Sequence, residues 1–373
     1  MVAPTDRSSV LASRAPAPFH TVRPSLARTL ARAGAGWQDP PMAPRLPRPG
    51  RRRTVRTGAV AAAVLALLMW WLLPPDAGPS PSGRITVATG VPTGVYAKYG
   101  ALLKEDLGQD LPALEVELRR SQGSLDNLRQ LTSGSVDFTI ATADAVATYR
   151  ENRQPGAERL RACARLYDDY MQLVVRKDSP VESTRDLKGL RVGVGANGSG
   201  VQLITKRLLK AAGLDLTTDI TPVRVGIDRM PGLLEKGEID AFFWSGGLPT
   251  TAVQSLGRRL PIRLVQLGDL IGDLHAMGAE TRFYRAAMMP ADAYPELRAT
   301  QVVKTVAVAN LLVTLDDTDA DLTESITRTV IRSRDRIGVK IHAAQKVDLR
   351  TAVFTNPLPL HDGARRYYVS IKP

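Results

Sequence analysis

RVGVGANGSGVQLITKRLLKAAG, residues 191–213, decides the fold. Its start is short, β-rich and apolar on alternate positions, and reads as a strand over Arg191–Gly195. Val201, Ile204, Leu208 and Ala212 then recur on one face of a helix over Val201–Ala212, and Gly213 supplies its stop. A turn of glycine, asparagine and serine joins the two. Strand, small-residue turn and helix in that order make a βα unit, the building block of a mainly parallel sheet.

Working outward, the same alternation runs from Arg84 to Pro373. Further strand candidates are Ile85–Thr89, Glu115–Leu118, Phe138–Thr142, Leu173–Arg176, Ala241–Trp244, Ile262–Val265 and Val303–Val313. One element occurs twice. LRQLTSGSVDFTIAT (128–142) and GLLEKGEIDAFFWS (232–245) both read helix, glycine, acid, apolar strand, with Gly134 and Asp137 matching Gly237 and Asp240. The repeat favours two separate α/β lobes over a single sheet, although a common way of building helix-to-strand turns would also produce it. The chain is expected to cross between lobes near Met171–Lys177 and again near Val303–Val313. The expected divisions are 84–170 for lobe I, 171–312 for lobe II and 313–373 for helices returning to lobe I.

The chain has 373 residues, 44% hydrophobic and 23% charged, enough for a sizeable core. A net charge of +13 suggests nucleic acid until it is located. Residues 1–56 hold eleven arginines and two acids, Asp6 and Asp39, leaving 39 basic against 35 acidic residues elsewhere. The folded part is therefore nearly neutral, and no nucleic-acid partner is expected. One cysteine, Cys163, in an apolar stretch reads as a small buried residue, and the four scattered histidines lack metal-ligand spacing. No metal and no cofactor is expected.

TGAVAAAVLALLMWWLL, residues 57–73, carries no charge. As a helix it would reach about 26 Å at ~1.5 Å per residue, enough for a hydrocarbon core. Arg51, Arg52, Arg53 and Arg56 precede it, so the N-terminus is placed in the cytoplasm and 74–373 outside. No A-x-A cleavage site follows, which favours a retained single-pass anchor in the cell membrane over a removed signal peptide. Residues 1–56 read as a disordered basic segment, Met42 as an alternative start, and 74–83 as an extended linker.

In open α/β sheets ligands bind at strand C-terminal ends, where helix starts offer free N–H groups and a partial positive charge. Four loops qualify: Gly90–Tyr96, Arg120–Asn127, Gly195–Gly200 and Trp244–Gly247. Singly, each is ordinary turn and capping chemistry; together they describe an anion site. Gly193-Val-Gly-Ala-Asn-Gly198 also fits the dinucleotide fingerprint. It lies deep in the exported part, after earlier strands, and lacks an acid at a clear strand end, so it is set aside. Neither a G-x-S-x-G elbow nor a supported S-x-x-K motif is present, so no catalytic residue is named. Asp168 and Asp169, between Tyr167 and Tyr170, read as a solvated hinge loop. Tyr96, Tyr170 and Trp244 are candidates for cleft walls or core.

Five stretches together resemble the TAXI family, the solute-binding subunits of one branch of TRAP transporters: ITVATGVPTGVYAKYGALL, SQGSLDNLRQLTSGSVDFTIATADA, DLKGLRVGVGANGSGVQLITKRLLKAAGL, LLEKGEIDAFFWSGGLPT and PLPLHDGARRYY. The resemblance covers Arg84 to the C-terminus. It implies an α/β, type II periplasmic-binding fold, here preceded by one transmembrane helix. Two lobes would close over a small carboxylate, glutamate-like or dicarboxylic, and deliver it as a monomer to a TRAP permease. Contacts implied by matching positions are Thr93, Gly94 and Tyr96; Ser121, Gly123 and Ser124; Gly198, Ser199 and Gly200; and Trp244, Ser245 and Gly246. Asn127 and Tyr170 complete the candidate set. Thr93 stands where the family usually has a glycine, which bears on the ligand. Two other classes stand beside this reading: a binding protein of the same fold serving a sensor or an ATP-driven importer, and an enzyme, for which no acid, base or nucleophile set is visible.

Overall fold

Two strands do most of the organising. β4 (Leu160–Arg176) has 17 residues and β10 (Val303–Leu315) has 13, so β4 extends about 56 Å at ~3.3 Å per residue. Each is long enough to pair with strands of both lobes in succession. The structure is a computed structural model and describes residues 62–65, 80–341 and 349–372.

The first lobe is built from β1 (Gly83–Ala88), α1 (Val95–Asp110), β2 (Leu114–Arg119), α2 (Ser124–Thr132), β3 (Phe138–Thr142) and α3 (Ala143–Glu151). Its strands run β2-β1-β3 in parallel, and the C-terminal half of β10 then joins antiparallel, followed by the first half of β4. The second lobe contains β5 (Arg191–Gly193), α4 (Gly200–Ala211), β6 (Thr221–Val223), α5 (Met230–Glu235), β7 (Ala241–Gly246), α6 (Thr251–Arg259) and β8 (Ile262–Val265). There β6-β5-β7 are parallel and the second half of β4 is antiparallel, with β8 on its far edge. The two lobes thus share one strand order. α7 (Ile271–His275) and β9 (Tyr284–Met289) follow, and β9 pairs with the first half of β10.

The expected separation into two sheets is therefore corrected. β4 pairs with β10 up to Tyr170 and with β7 from Tyr170 onward, so one ladder of ten strands passes through both lobes. The partner of β4 changes at Tyr170, and the boundary drawn between Tyr170 and Met171 falls within a continuous strand. In β10 the partner changes from β9, paired over Val303–Val308, to β3, paired over Asn310–Val313.

The repeat noted in the sequence has a structural cause. Asp137 accepts from the Thr86 N–H of β1 at 2.7 Å, and Asp240 accepts from the Arg191 N–H of β5 at 2.9 Å. Gly134 and Gly237 end their helices at φ +73 and +71, a conformation glycine adopts without a side-chain clash. In each lobe, then, the same glycine-to-acid turn ties the third strand to the first.

α4 behaves as its spacing predicts. Val201, Ile204, Leu208 and Ala212 are buried, Ser199 caps the start, and Gly213 at φ +79 follows the end. Fully burying a Val, Ile or Leu side chain contributes about 1.5–3 kcal/mol relative to exposure, and Ala212 less. After β10, α8 (Ala320–Lys340), α9 (Leu349–Ala352) and α10 (Asp362–Ser370) share a core with α1, through Tyr99, Leu103, Ile326, Val330 and Tyr367. Cys163 lies in that core as a free thiol, pushed up to about 12 by burial.

The basic segment 1–56, the alternative start Met42, most of the apolar run 57–73 and the linker as far as Pro79 lie outside the described residues. Residues 62–65 of that run are helical, and no described helix is long and apolar enough to cross a membrane.

Candidate functional site

Four strand ends converge between the lobes. β1 leads through Thr89–Gly94 into α1, β2 through Arg120–Gly123 into α2, and β5 through Val194–Ser199 into α4. β7 brings Trp244 and Ser245 in the strand itself. The space between them is a cavity of about 60 Å³.

Eight expected residues line it: Gly94, Tyr96, Gly123, Ser124, Ser199, Gly200, Trp244 and Ser245. The starts of α2 and α4 touch across it. The Asp126 N–H donates to the Gly198 carbonyl at 3.2 Å, and a Cβ added to Gly123 would stand 3.5 Å from Ser199 Cα. Each helix start carries roughly half a positive charge, so their approach is unfavourable unless an anion lies between them. Tyr96 closes one side, its hydroxyl donating to Asn310 Oδ1 at 2.6 Å and lying 2.9 Å from Ser124 Oγ. Ser124 Oγ also accepts from the Thr142 N–H at 3.2 Å. Trp244 forms the opposite wall, its indole N–H donating to Thr250 Oγ1 at 3.0 Å.

The other six expected residues have other work. Asn127 is fully buried and donates to the Thr89 and Ile140 carbonyls at 2.7 and 2.8 Å, joining the ends of β1 and β3. Ser121 donates to Thr89 O at 3.1 Å and accepts from the Gly123 N–H. Both shape the cavity from behind. Gly198 makes the cross-lobe contact already given, and Gly246 leaves room for the Trp244 indole. Thr93 lines a separate, wider groove outside. Tyr170 packs with Met289 and Ala307 instead of facing the cavity.

The main correction is Asp169. Read as part of a solvated loop, it lies in β4 opposite Val308, 4% exposed, and lines the cavity. Charged residues can occupy this strand because Asp168 is held by Arg165 at 2.7 Å and by Arg285. Ser245 Oγ donates to Asp169 Oδ2 at 3.2 Å, while Oδ1 has no partner. Thr142 and Asn310 were also missed. Thr142 ends β3, where the strand-end rule points. Asn310 was a lone amide within the apolar run VAVANLLV.

Burial lifts the Asp169 carboxyl to about 7, against the pull of Asn310 and Ser245, and Asp168 and Asp144 add to the rise. Tyr96 and Tyr167 also lie within its field. Between about pH 4, where an ordinary carboxyl titrates, and 7, the folded protein binds more protons at this site than the unfolded chain. Stability from this group is therefore complete below that window and is lost as pH rises through it. Urea unfolding of the ligand-free protein should show this falling component, and Asp169→Asn should remove it. Parent and variant with the same slope would place the titration elsewhere.

The described part is thus a two-lobed α/β structure of the periplasmic-binding-protein fold, with a cavity between the lobes that is mostly apolar and carries a few polar groups. Residues 87–370 match the NMT1-like family, and the chain belongs to it. Among solved structures it is similar to the periplasmic aliphatic sulphonate binding protein SsuA from Escherichia coli. That match has 13% identity, 79% of this chain and 80% of that one covered, and a TM-score of 0.42. The alkanesulfonate-binding protein SsuA from Xanthomonas axonopodis pv. citri, bound to MOPS, gives 17%, 80% and 86%, and 0.44. The ligand binding component of an ABC-type import system from Staphylococcus aureus, with zinc bound, gives 14%, 68% and 76%, and 0.45. Likeness at this level says nothing of the ligand.

Proposed function

We propose that the protein is an extracytoplasmic solute receptor, not an enzyme, whose lobes close over a small carboxylate and present it to a membrane permease. The observation that carries this is the cavity walled by helix starts from both lobes, which are joined through β4 and β10. Opening at such a hinge admits a solute, and closing surrounds it. The contacts proposed are the eight lining residues, with Asn127 and Ser121 setting the backbone behind them.

The resemblance in the sequence supports a TRAP permease as partner. An ATP-driven importer is the second reading, and the name of the Staphylococcus aureus protein, a component of an ABC-type import system, agrees with it better. The apolar run at 57–73 supports a retained anchor, with the folded part outside the cell membrane.

One experiment addresses both points. The full chain is recovered from membrane and soluble fractions and melted with acidic amino acids, dicarboxylates and keto acids. At a hundredfold excess over Kd a ligand adds roughly 2.7 kcal/mol, a shift of several degrees. No shift with any carboxylate, alongside a shift with sugars or cations, would overturn the carboxylate reading. Recovery solely from the soluble fraction would overturn the anchor.

A further inference from the structure

An anion site needs no buried carboxylate, yet this cavity contains one. Among the described residues lining it, none is Lys, Arg or His, so no side-chain cation neutralises Asp169 from within the cavity. The donors that face it are neutral, the Ser245 hydroxyl on Oδ2 and the Asn310 amide nearby, and the buried Oδ1 completes no hydrogen bond. A buried acceptor left unpaired is costly, and a charged one more so. The positive helix starts at Gly123–Ser124 and Ser199–Gly200 line the same space. The cavity is thus dipolar, with donors for an anion and one acceptor for a cation.

We propose that Asp169 receives the ammonium group of the ligand, so that the receptor takes a zwitterionic α-amino acid and discriminates against simple mono- and dicarboxylic acids. This rests on the receptor reading above and narrows it. An amino acid puts its carboxylate against the helix starts and an N–H donor against Asp169 Oδ1, so both ends are satisfied. A dicarboxylate would instead place a second negative charge against Asp169. It is accommodated only if Asp169 is protonated and donates, and burial has raised the carboxyl far enough to make that the rival arrangement. The amino acid removes the need for that proton, since its own charge holds Asp169 ionised.

The two arrangements respond oppositely to Asp169→Asn. Asparagine is close in shape, uncharged and a donor, so it mimics the protonated acid and fails as an ammonium acceptor. Isothermal titration of the full chain at about pH 8, where Asp169 is mostly ionised, would compare L-glutamate with glutarate and L-alanine with propionate. The parent should favour at least one amino acid over its desamino partner by about tenfold or more, as expected for a hydrogen bond to a charged group. Asp169→Asn should lose about tenfold or more for that amino acid and hold or gain affinity for the desamino acid. The comparison within the parent stands even if the variant folds poorly.

Glutarate or propionate binding the parent as tightly as its amino acid would overturn the proposal while leaving a carboxylate receptor in place. Unchanged amino-acid binding by a folded Asp169→Asn would do the same. If neither class binds the parent, the carboxylate-receptor reading itself fails, and this proposal with it.

Discussion

Arg207→Met should lower the stability of the protein by about 3–5 kcal/mol, the usual cost of leaving one member of a buried ion pair behind. Arg207 projects from α4 in the second lobe and reaches α3 in the first. Its guanidinium donates to Thr148 Oγ1 and to the Tyr284 hydroxyl, each at 2.8 Å, and lies 3.5 Å from Asp144 Oδ2. Tyr284 in turn donates to the same Asp144 oxygen at 2.7 Å. The two charged side chains are 8% and 1% exposed, so water screens neither. Methionine fills much of the arginine stem but leaves Asp144 with the tyrosine alone and its Oδ1 still unpaired. The 3.5 Å separation means that much of the loss comes from the orphaned carboxylate instead of the direct pair. That attribution has its own test. Arg207→Met with Asp144→Leu removes both buried charges, leaving only the partly exposed Glu280, 3.7 Å from the guanidinium, and should recover most of the loss in urea unfolding. A double variant as unstable as the single one would show that Arg207 acts through packing.

Strands free of buried charge were legible in the sequence. Phe138–Thr142 and Ile262–Val265 coincide with β3 and β8, because the first is wholly apolar or β-branched and the second is apolar apart from Arg263. The first half of β4 was not legible. LRACARLYDD carries Arg161, Arg165, Asp168 and Asp169, and only the fold shows Arg165 and Arg285 neutralising Asp168. β6 is three residues around Pro222 at the end of the sheet, where a missing N–H costs little and the strand signal is weakest. β9, YRAAMM, lacks the β-branched residues that mark a strand and forms on the edge that β10 offers. The same difference divides the site. Gly123, Ser124, Ser199 and Gly200 were found because helix starts have a local signature. Asp169 was missed because its role depends on residues far along the chain. Asn127 and Ser121 carried the right signature, but their polar groups turned back to the Thr89 carbonyl.

Gly200→Val should abolish ligand binding, by two orders of magnitude or more, while the lobes stay folded. Gly200 is the first residue of α4 and is not among the glycines in left-handed backbone, so valine imposes no backbone strain there. The buried face of α4, with Ile204 and Leu208, points elsewhere and is untouched. What valine meets belongs to the other lobe. A Cβ at this position stands 3.0 Å from Ser124 Oγ and 3.4 Å from Thr142 Oγ1, before the two methyls are added. The clash therefore exists only when the lobes close, and overpacking of this kind costs roughly 1–3 kcal/mol. Screening the helix-start N–H groups from the anion adds to it. Ser199→Ala is the contrast: it removes one hydroxyl and its cap to the Gln202 N–H, about 0.5–1.5 kcal/mol or up to roughly tenfold in affinity. Gly123→Val, equivalent on sequence grounds, is not a clean partner experiment. Gly123 is held at φ +121, so a side chain there strains the turn itself, and lost binding would not separate closure from folding. Titration of Gly200→Val with the parent's ligand, beside circular dichroism of both, decides the matter. Parent-like binding by a parent-like fold would mean that the start of α4 is only a turn, and that the ligand is held from Tyr96, Asp169 and Trp244 alone.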